Sequence, residues 1–456
     1  MAKLEELQWR GEPLRAKIYF TDAEVYEVYT DTSYTEPRSS SFIKQASFRL
    51  SEGNNNVNPL GISSSNTVSL QIYDENDYLN PTNTDSPYYN YLVSGIRMDI
   101  EISYNGTVFE PFGTWYITSW GGGFSDGWHS LVTVGASDRL NTIGSLDLPL
   151  LRAYSNVQAS VLIGDVMNGI GISGSEYTID SRINSSLMYG VAQGTKVRDF
   201  LNNICQILFA RVIVDMNGII RFVPALEAYL NGNELDLTPG NTGSLSSKTN
   251  SNINYNKLKV VYLEAGETTR ETIINDNSHQ LVEGANLITD ITFSKKVLSV
   301  ETVETIHEQT DDNAEVTDIT FAAYQDGIQL NITAANGPIN SLTISGTGMV
   351  VSTTERNVEL DLVDASVIGG STFSFDTKQM MTKADAQQIA NKLKQYLIKM
   401  SKNIILQGTV LTPKLFTGDT INIGGTGTSY DGSYKVTAIE LTIGENYSSN
   451  VTLIRL

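Results

Sequence analysis

A chain of 456 residues carrying 31 basic and 51 acidic side chains, with a net charge of -20, can bury more than one core and is expected to divide into roughly two to four domains. The acidic balance excludes tight holding of phosphate backbones, which needs clustered Lys and Arg, and the single Cys205 excludes an intramolecular disulfide or a cysteine-built zinc site. Abundant Asn, Ser, Thr, Gly and Tyr with little charge suits β domains joined by many turns.

The opening MAKLEELQWRGEP lacks the apolar core of a signal peptide. The run ILFARVIV is interrupted by Arg211 and is too short to cross a bilayer. Synthesis in the cytoplasm and no stable membrane insertion are therefore expected. Residues 1–147 read as a first β domain, with strands over Leu14–Phe20, Ile43–Leu50, Thr67–Tyr73, Met98–Tyr104, Gly113–Trp120 and Leu131–Ala136. Ile100, Ile102 and Tyr104 share one face by alternation, as do Leu131 and Thr133 against Val132 and Val134. The stretch FGTWYITSW, the gap GGGFSDGWHS and LVTVGASDRL predict a hairpin with a long glycine-rich tip.

Residues 148–250 read as a mixed helix and hairpin domain ending in a linker. Val157–Met167 is a predicted helix, and Thr195–Leu208 a second one whose stripe is Val197, Phe200, Leu201, Ile204, Cys205 and Leu208, with Thr195 as its cap. Phe209–Val214 and Ile219–Val223 flank Asp215-Met216-Asn217-Gly218, where Asn-Gly supplies the positive φ of a tight turn. Leu230–Asn252 is Gly-, Asn- and Ser-rich and reads as a linker or surface loop. Asn256–Tyr262 is expected to start a second barrel (251–300), to be completed by 376–456, with a β insertion at 301–375 between them. In the closing part, Ala386, Ile389, Ala390, Leu393, Tyr396, Leu397 and Met400 recur at helical spacing over Lys383–Met400, started by Thr382 with Asp385. Strands follow over Asn403–Val410, Asp419–Ile423, Tyr434–Ile443 and Asn450–Leu456.

Three anchors, in order along the chain, resemble the tail hub proteins of bacteriophages and contractile injection systems. The first is Gly113, Trp115, Tyr116, Ile117, then Val132, Thr133, Val134, Asp138, Arg139 and Leu140; the second is the helix and D-x-N-G-x-I-x-F-x-P hairpin of 195–224. The third is Ala386, Ile389, Ala390, Pro413, Leu415, Gly418 and Asp419. The resemblance implies a mainly β (α+β) fold, with two tube-like β-barrel domains and flanking helices, a mixed α/β middle domain and an inserted β domain. It implies a structural virion protein, not an enzyme: a homotrimer at the tail tip or baseplate whose six barrels match the sixfold tube above and a threefold spike below. The implied partners are a tail tube or distal tail protein ring, a tail spike or central fibre, a tape measure protein, and viral DNA passing an acidic lumen unheld. A β-rich polysaccharide hydrolase and a carbohydrate-binding adhesin are the alternatives.

No motif supplies a catalytic, cofactor or metal site. Gly169, Gly171 and Gly174 match G-x-G-x-x-G but follow a predicted helix, so they read as a helix end and turn. His129, His279 and His307 are isolated in sequence, and Asp74, Glu75 and Asp77 lack the alternation and central glycine of a calcium loop, which favours a solvated turn. Cys205 reads as core. Tyr88, Tyr89 and Tyr91 with Pro81 and Pro87 make either a docking surface or loop packing.

Overall fold

In a computed structural model of the chain, the residues described are 14–21, 24–30, 41–51, 61–62, 65–103, 108–125, 129–149, 155–183, 187–189, 196–225, 227, 234–238, 244–249, 255–293, 297–307, 314–323, 327–362, 371–400, 402–407, 415–444 and 448–456. Thr195, Tyr104 and Pro413, which the sequence singled out, lie outside them.

The fold is mainly β. Seven strands form a closed circuit: Phe42–Ser51, Thr67–Asp74, His129–Ser137, Phe109–Ser125, Arg97–Ser103, Leu14–Tyr19 and Val25–Tyr29, which returns to the first through the pair Tyr29 with Phe42. Period-two alternation turns Leu14, Ala16 and Ile18, Val68, Leu70 and Ile72, and Ile100 and Ile102 into one buried core. Of the alternation at 131–134, the valines point inward. Strand Val25–Tyr29 escaped sequence reading because only Val28 is buried. The predicted glycine tip is instead strand as far as Ser125, since Gly121, Gly122 and Gly123 pair through their backbones with Thr133, Val132 and Leu131. At Gly122 a Cβ would lie 2.4 Å from Asn80 Oδ1, so the loop of residues 75–95 packs directly on that strand.

A second group of strands continues the same sheet in the order Glu234–Leu237, Thr420–Ile423, Gly432–Gly444, Ser448–Arg455, Lys402–Gln407, Ser244–Thr249. Gly432–Gly444 also pairs antiparallel with Phe42–Ser51, from Ala438 opposite Ser51 to Gly444 opposite Gln45. Both groups therefore share one strand and one core. The second group draws its strands from 234–249 and 402–455, and not from 251–300 as expected. The partners of the closing strands come from the presumed linker 230–252, where the buried Leu235 and Leu237 are hidden among turn residues.

Tyr255–Leu281 does not join the closing strands. It pairs along its length with Ile339–Asp361, and near its start with Ser371–Met380. Twenty-seven residues of continuous strand can satisfy their hydrogen bonds only against another long strand, and Ile339–Asp361 is that partner. Its far half forms a sandwich with the sheet of Gly284–Thr292, Gly327–Ala335 and Glu315–Ala323 around Leu330, Leu342 and Ile344, so the pairing runs across the expected boundary at 301.

Helix α1 (Arg139–Gly144), helix α2 (Ala159–Gly169) and helix α3 (Val197–Leu208) pack with the hairpin Ala210–Val214 and Ile220–Pro224 in a separate core. The stripe of α3 is buried as predicted, although α2 starts two residues later than expected because Ser155–Gln158 is strand. In the hairpin turn, positive φ falls on Gly218 and not on Asn217. Asp215 Oδ1 accepts the amides of Asn217 and Ile219, which holds the turn with one left-handed residue. Helix α4 (Lys383–Met400) has the predicted bounds. Thr382 and Asp385 cap it reciprocally, Asp385 N donating to Thr382 Oγ1 at 3.2 Å and Thr382 N to Asp385 Oδ2 at 3.2 Å. Its face of Ala386, Ile389, Ala390, Leu393 and Leu397 packs mainly against Leu258, Val260, Phe373 and Phe375, with lesser contacts to the closing strands Lys402–Gln407 and Ser448–Arg455.

Candidate functional site

The sequence candidates fall in different parts of the fold. Gly169 ends α2, and Gly171 at φ +81 turns the chain out of it, its amide donating to Asn168 O at 3.0 Å. Gly169 packs against Pro149, a Cβ there lying 2.8 Å from that ring, while Gly171 and Gly174 face open space. Cys205 is fully buried in α3, and burial pushes its thiol well above the usual range. His279 and His307 pair with Leu342 from opposite sides, so the fold does bring two histidine backbones near one another, while His129 lies in the first barrel. No group of three His, Cys, Asp or Glu able to hold a metal occurs among the described residues.

Of the solvated turn expected at 74–77, Glu75 is exposed and Asp77 half-buried, but Asp74 is buried. Its carboxylate accepts from Leu79 N at 2.6 Å and Ser41 Oγ at 3.1 Å, and burial raises its pKa. These contacts make it the organiser of the following loop. Asn80 takes Thr82 N and Oγ1 on its Oδ1, Asn83 Oδ1 takes Asp85 N, and Ser86 Oγ accepts Tyr88 N. Successive side-chain turns of this kind fix a long connection without regular structure. The tyrosine group divides accordingly. Tyr88 packs inward, stacked on Phe20 at 4.4 Å, whereas Tyr89 and Tyr91 stay exposed at 41% and 38%.

Sequence reading missed two buried charges that hold the bodies together. Asp138, the cap of α1, accepts from Leu140 N at 3.0 Å and Asn66 N at 2.8 Å, while Asn66 Oδ1 accepts from Ser51 N at 3.1 Å. Burial pushes its carboxyl up to about 7 against the opposing pull of these amides. Next to it in sequence, Arg139 binds Glu176, whose carboxyl is held at about 2 by the Ser173 amide and the guanidinium. The second charge is Arg211, read in the sequence only as an interruption. It is 2% exposed, donates to the Tyr396 hydroxyl of α4 and lies 5.2 Å from that ring's centroid. Phe209, in the left-handed conformation at the end of α3, meets the same ring edge-on at 6.3 Å. Lys435, on the shared strand, donates to Ala225 O at 3.3 Å from the end of the hairpin. A cation inside an apolar stretch was the available signal for this joint.

The resemblance anchors take the local forms expected of them. Gly113, at φ +153, sits where the register shifts between Ile100 and Glu101, with the buried Trp115 ring 2.7 Å from the position of a Cβ. Gly418, at φ +94, turns the chain, and Asp419 Oδ2 closes that turn on Phe416 N at 2.7 Å. No protein-family model matches the sequence, and no curated protein matches it by sequence. Solved structures do. The 43 kDa tail protein of prophage MuSo2 from Shewanella oneidensis superposes with a TM-score of 0.52 at 9% identity, over 97% of this chain and 98% of that one. A tail protein from Neisseria meningitidis MC58 does so at 0.51 and 8%, over 97% and 96%. The chain has a tail-protein fold. Within that fold His279 Nε2 lies 3.1 Å from Asp276 Oδ2, and the buried charges Asp138 and Arg211 lie at joints between bodies.

Proposed function

We propose that the chain is a structural tail protein, the trimeric hub at the tip of a phage or phage-like tail. It joins the sixfold tube or distal tail protein ring to a threefold spike or central fibre, contacts the tape measure protein, and lets DNA through without holding it. It acts as part of the virion, at the tail tip or baseplate, after synthesis in the host cytoplasm. In this reading the barrel pair consists of 14–137 with 234–249 and 402–455, residues 139–225 are the middle domain, and 255–380 the insertion carried on α4. The observation that carries the proposal is the pair of strand groups joined through Gly432–Gly444, in a fold shared end to end with tail proteins. Three chains that each present two such units close a six-part ring by repeating one heterologous contact.

Cryo-electron microscopy of assembled particles tests this reading. Three copies per ring around a channel are expected, and one or six copies would reject it. Loss of a peptidoglycan or capsule layer in a gel assay with the purified chain, abolished by exchanging a carboxylate pair, would instead establish the hydrolase reading.

A further inference from the structure

We propose that the tyrosine-lined end of the first barrel docks an arginine- or lysine-bearing segment of another protein. The proposal stands on the geometry of this chain alone and does not depend on the hub reading.

Large apolar side chains left in the open gather here. Val25, Tyr78, Tyr89, Tyr91 and Val93 are all exposed, Val93 at 54%, and they come from the loop after Thr67–Asp74 and from the neighbouring strand Val25–Tyr29. A second layer of rings supports them. Phe20 stacks on Tyr88 and meets Tyr91 at 6.1 Å and Trp120 at 6.5 Å, while Tyr26 and Tyr78 approach Tyr88 edge-on. Trp120 Nε1 donates to Val93 O at 3.0 Å, tying the loop's end to the barrel wall. With the turns of Asp74, Asn80, Asn83 and Ser86 holding the rest, the rings are fixed before any partner arrives, so little ordering remains to oppose binding.

Charge selects the occupant. From residue 74 to residue 95 the chain carries Asp74, Glu75, Asp77 and Asp85 and no Lys or Arg. Asp74 is used up in the loop's own hydrogen bonds, but Glu75 and Asp85 are exposed, and the exposed Glu24 lies close enough to act on the Tyr88 phenol. Ring faces are themselves negative, so rings and carboxylates favour a cation that can lie flat on one and pair with the other. A neutral glycan could stack on the rings and donate its hydroxyls to the carboxylates, but it brings no positive charge to pair with them. A second copy of this chain, at net charge -20, would on balance bring like charge to the patch.

The test uses the full-length chain and a dye-labelled peptide in which arginine alternates with glycine, read by fluorescence anisotropy. Saturable binding is expected, weaker by about tenfold in Tyr89→Ala/Tyr91→Ala and equally in Tyr89→Leu/Tyr91→Leu, which keeps apolar bulk but removes the ring faces. Tyr89→Phe/Tyr91→Phe should bind as the parent does. Glu24→Gln/Glu75→Gln/Asp85→Asn should weaken binding several-fold, as should raising salt from about 50 to about 300 mM. Circular dichroism confirms that each variant is folded, and the Phe and carboxylate variants keep the test decisive if the Ala or Leu pair does not fold. The proposal is overturned if the arginine peptide does not bind, or if an alternating glycine–serine peptide binds as well. It is also overturned if the leucine pair binds like the parent, if maltohexaose or chitohexaose competes at lower concentration than the peptide, or if the tyrosine variants change the oligomeric mass, which would assign the patch to a second copy.

Discussion

The two strand groups share a sheet and a core yet end differently. The first circuit returns to its starting strand, through Tyr29 and Phe42, and so presents no terminal strand. Among the described residues, the second stops at Glu234–Leu237 on one side and Ser244–Thr249 on the other, and its strand Gly432–Gly444 pairs with the first. A closed circuit protects its backbone groups by geometry, whereas an open one depends on each neighbour being present. Equal strand content therefore does not mean equal tolerance to damage.

The largest difference should come from deleting Asn450–Leu456. Val451, Leu453 and Ile454 are buried, each worth about 1.5–3 kcal/mol, and the strand separates Gly432–Gly444 from Lys402–Gln407. Limited proteolysis read by mass spectrometry should show cleavage within 402–449 and continued protection of 14–137. Equal loss in both regions would mean that the groups fold only together. Next is a matched pair of glycines. Gly113 in the first group has φ +153 and Gly432 in the second φ +151, but a Cβ at 113 meets the buried Trp115 ring at 2.7 Å, and at 432 the end of the Arg455 side chain at 3.2 Å. Gly113→Ala should lower stability by about 2–4 kcal/mol and Gly432→Ala by about 1 kcal/mol, since only the arginine can step aside. Similar urea midpoint shifts for the two would show that backbone strain, not the ring, decides the cost.

Two smaller effects concern the joints to either group. Tyr396→Phe removes the hydroxyl that Arg211 uses, at a cost of about 1–3 kcal/mol, visible as an earlier urea transition. For Asp138 the sign follows from a folded pKa of about 7, raised above the ordinary 3.8 by burial. The folded chain holds the proton more tightly, so this contribution is complete below about pH 4 and is lost as pH rises through about 7. Unfolding measured at pH 5 and pH 8 should show the decline, and Asp138→Asn should flatten it while lowering stability throughout. An unchanged slope in the variant would assign the pH dependence elsewhere.

Where side chains alternate or recur strongly, the sequence was legible. Helix α4 keeps its predicted bounds, as its seven periodic apolar positions and its reciprocal cap leave no alternative. The buried stripe of α3 follows from the same periodicity. Pairing was not legible. Tyr255–Leu281 and the closing strands look equally β-rich, and which strand each one meets depends on length and register, which a local pattern does not carry. The short strand Glu234–Leu237 has only two inward leucines to announce it. In the candidate sites, Arg211 stood in the sequence as an interruption of an apolar run and Asp138 as a member of the first anchor. Their burial comes from elements far away along the chain, Tyr396 for one and Asn66 for the other.

Gly432–Gly444 meets Phe42–Ser51 in seven consecutive residue pairs, Ala438 with Ser51 through Gly444 with Gln45. Pulling one strand group lengthwise past the other loads all of these pairs at once, and tilting it breaks them in turn from one end. The two groups accordingly transmit push and torque as a single stiff beam. Within one chain the two groups are therefore expected to move together, with no hinge between them.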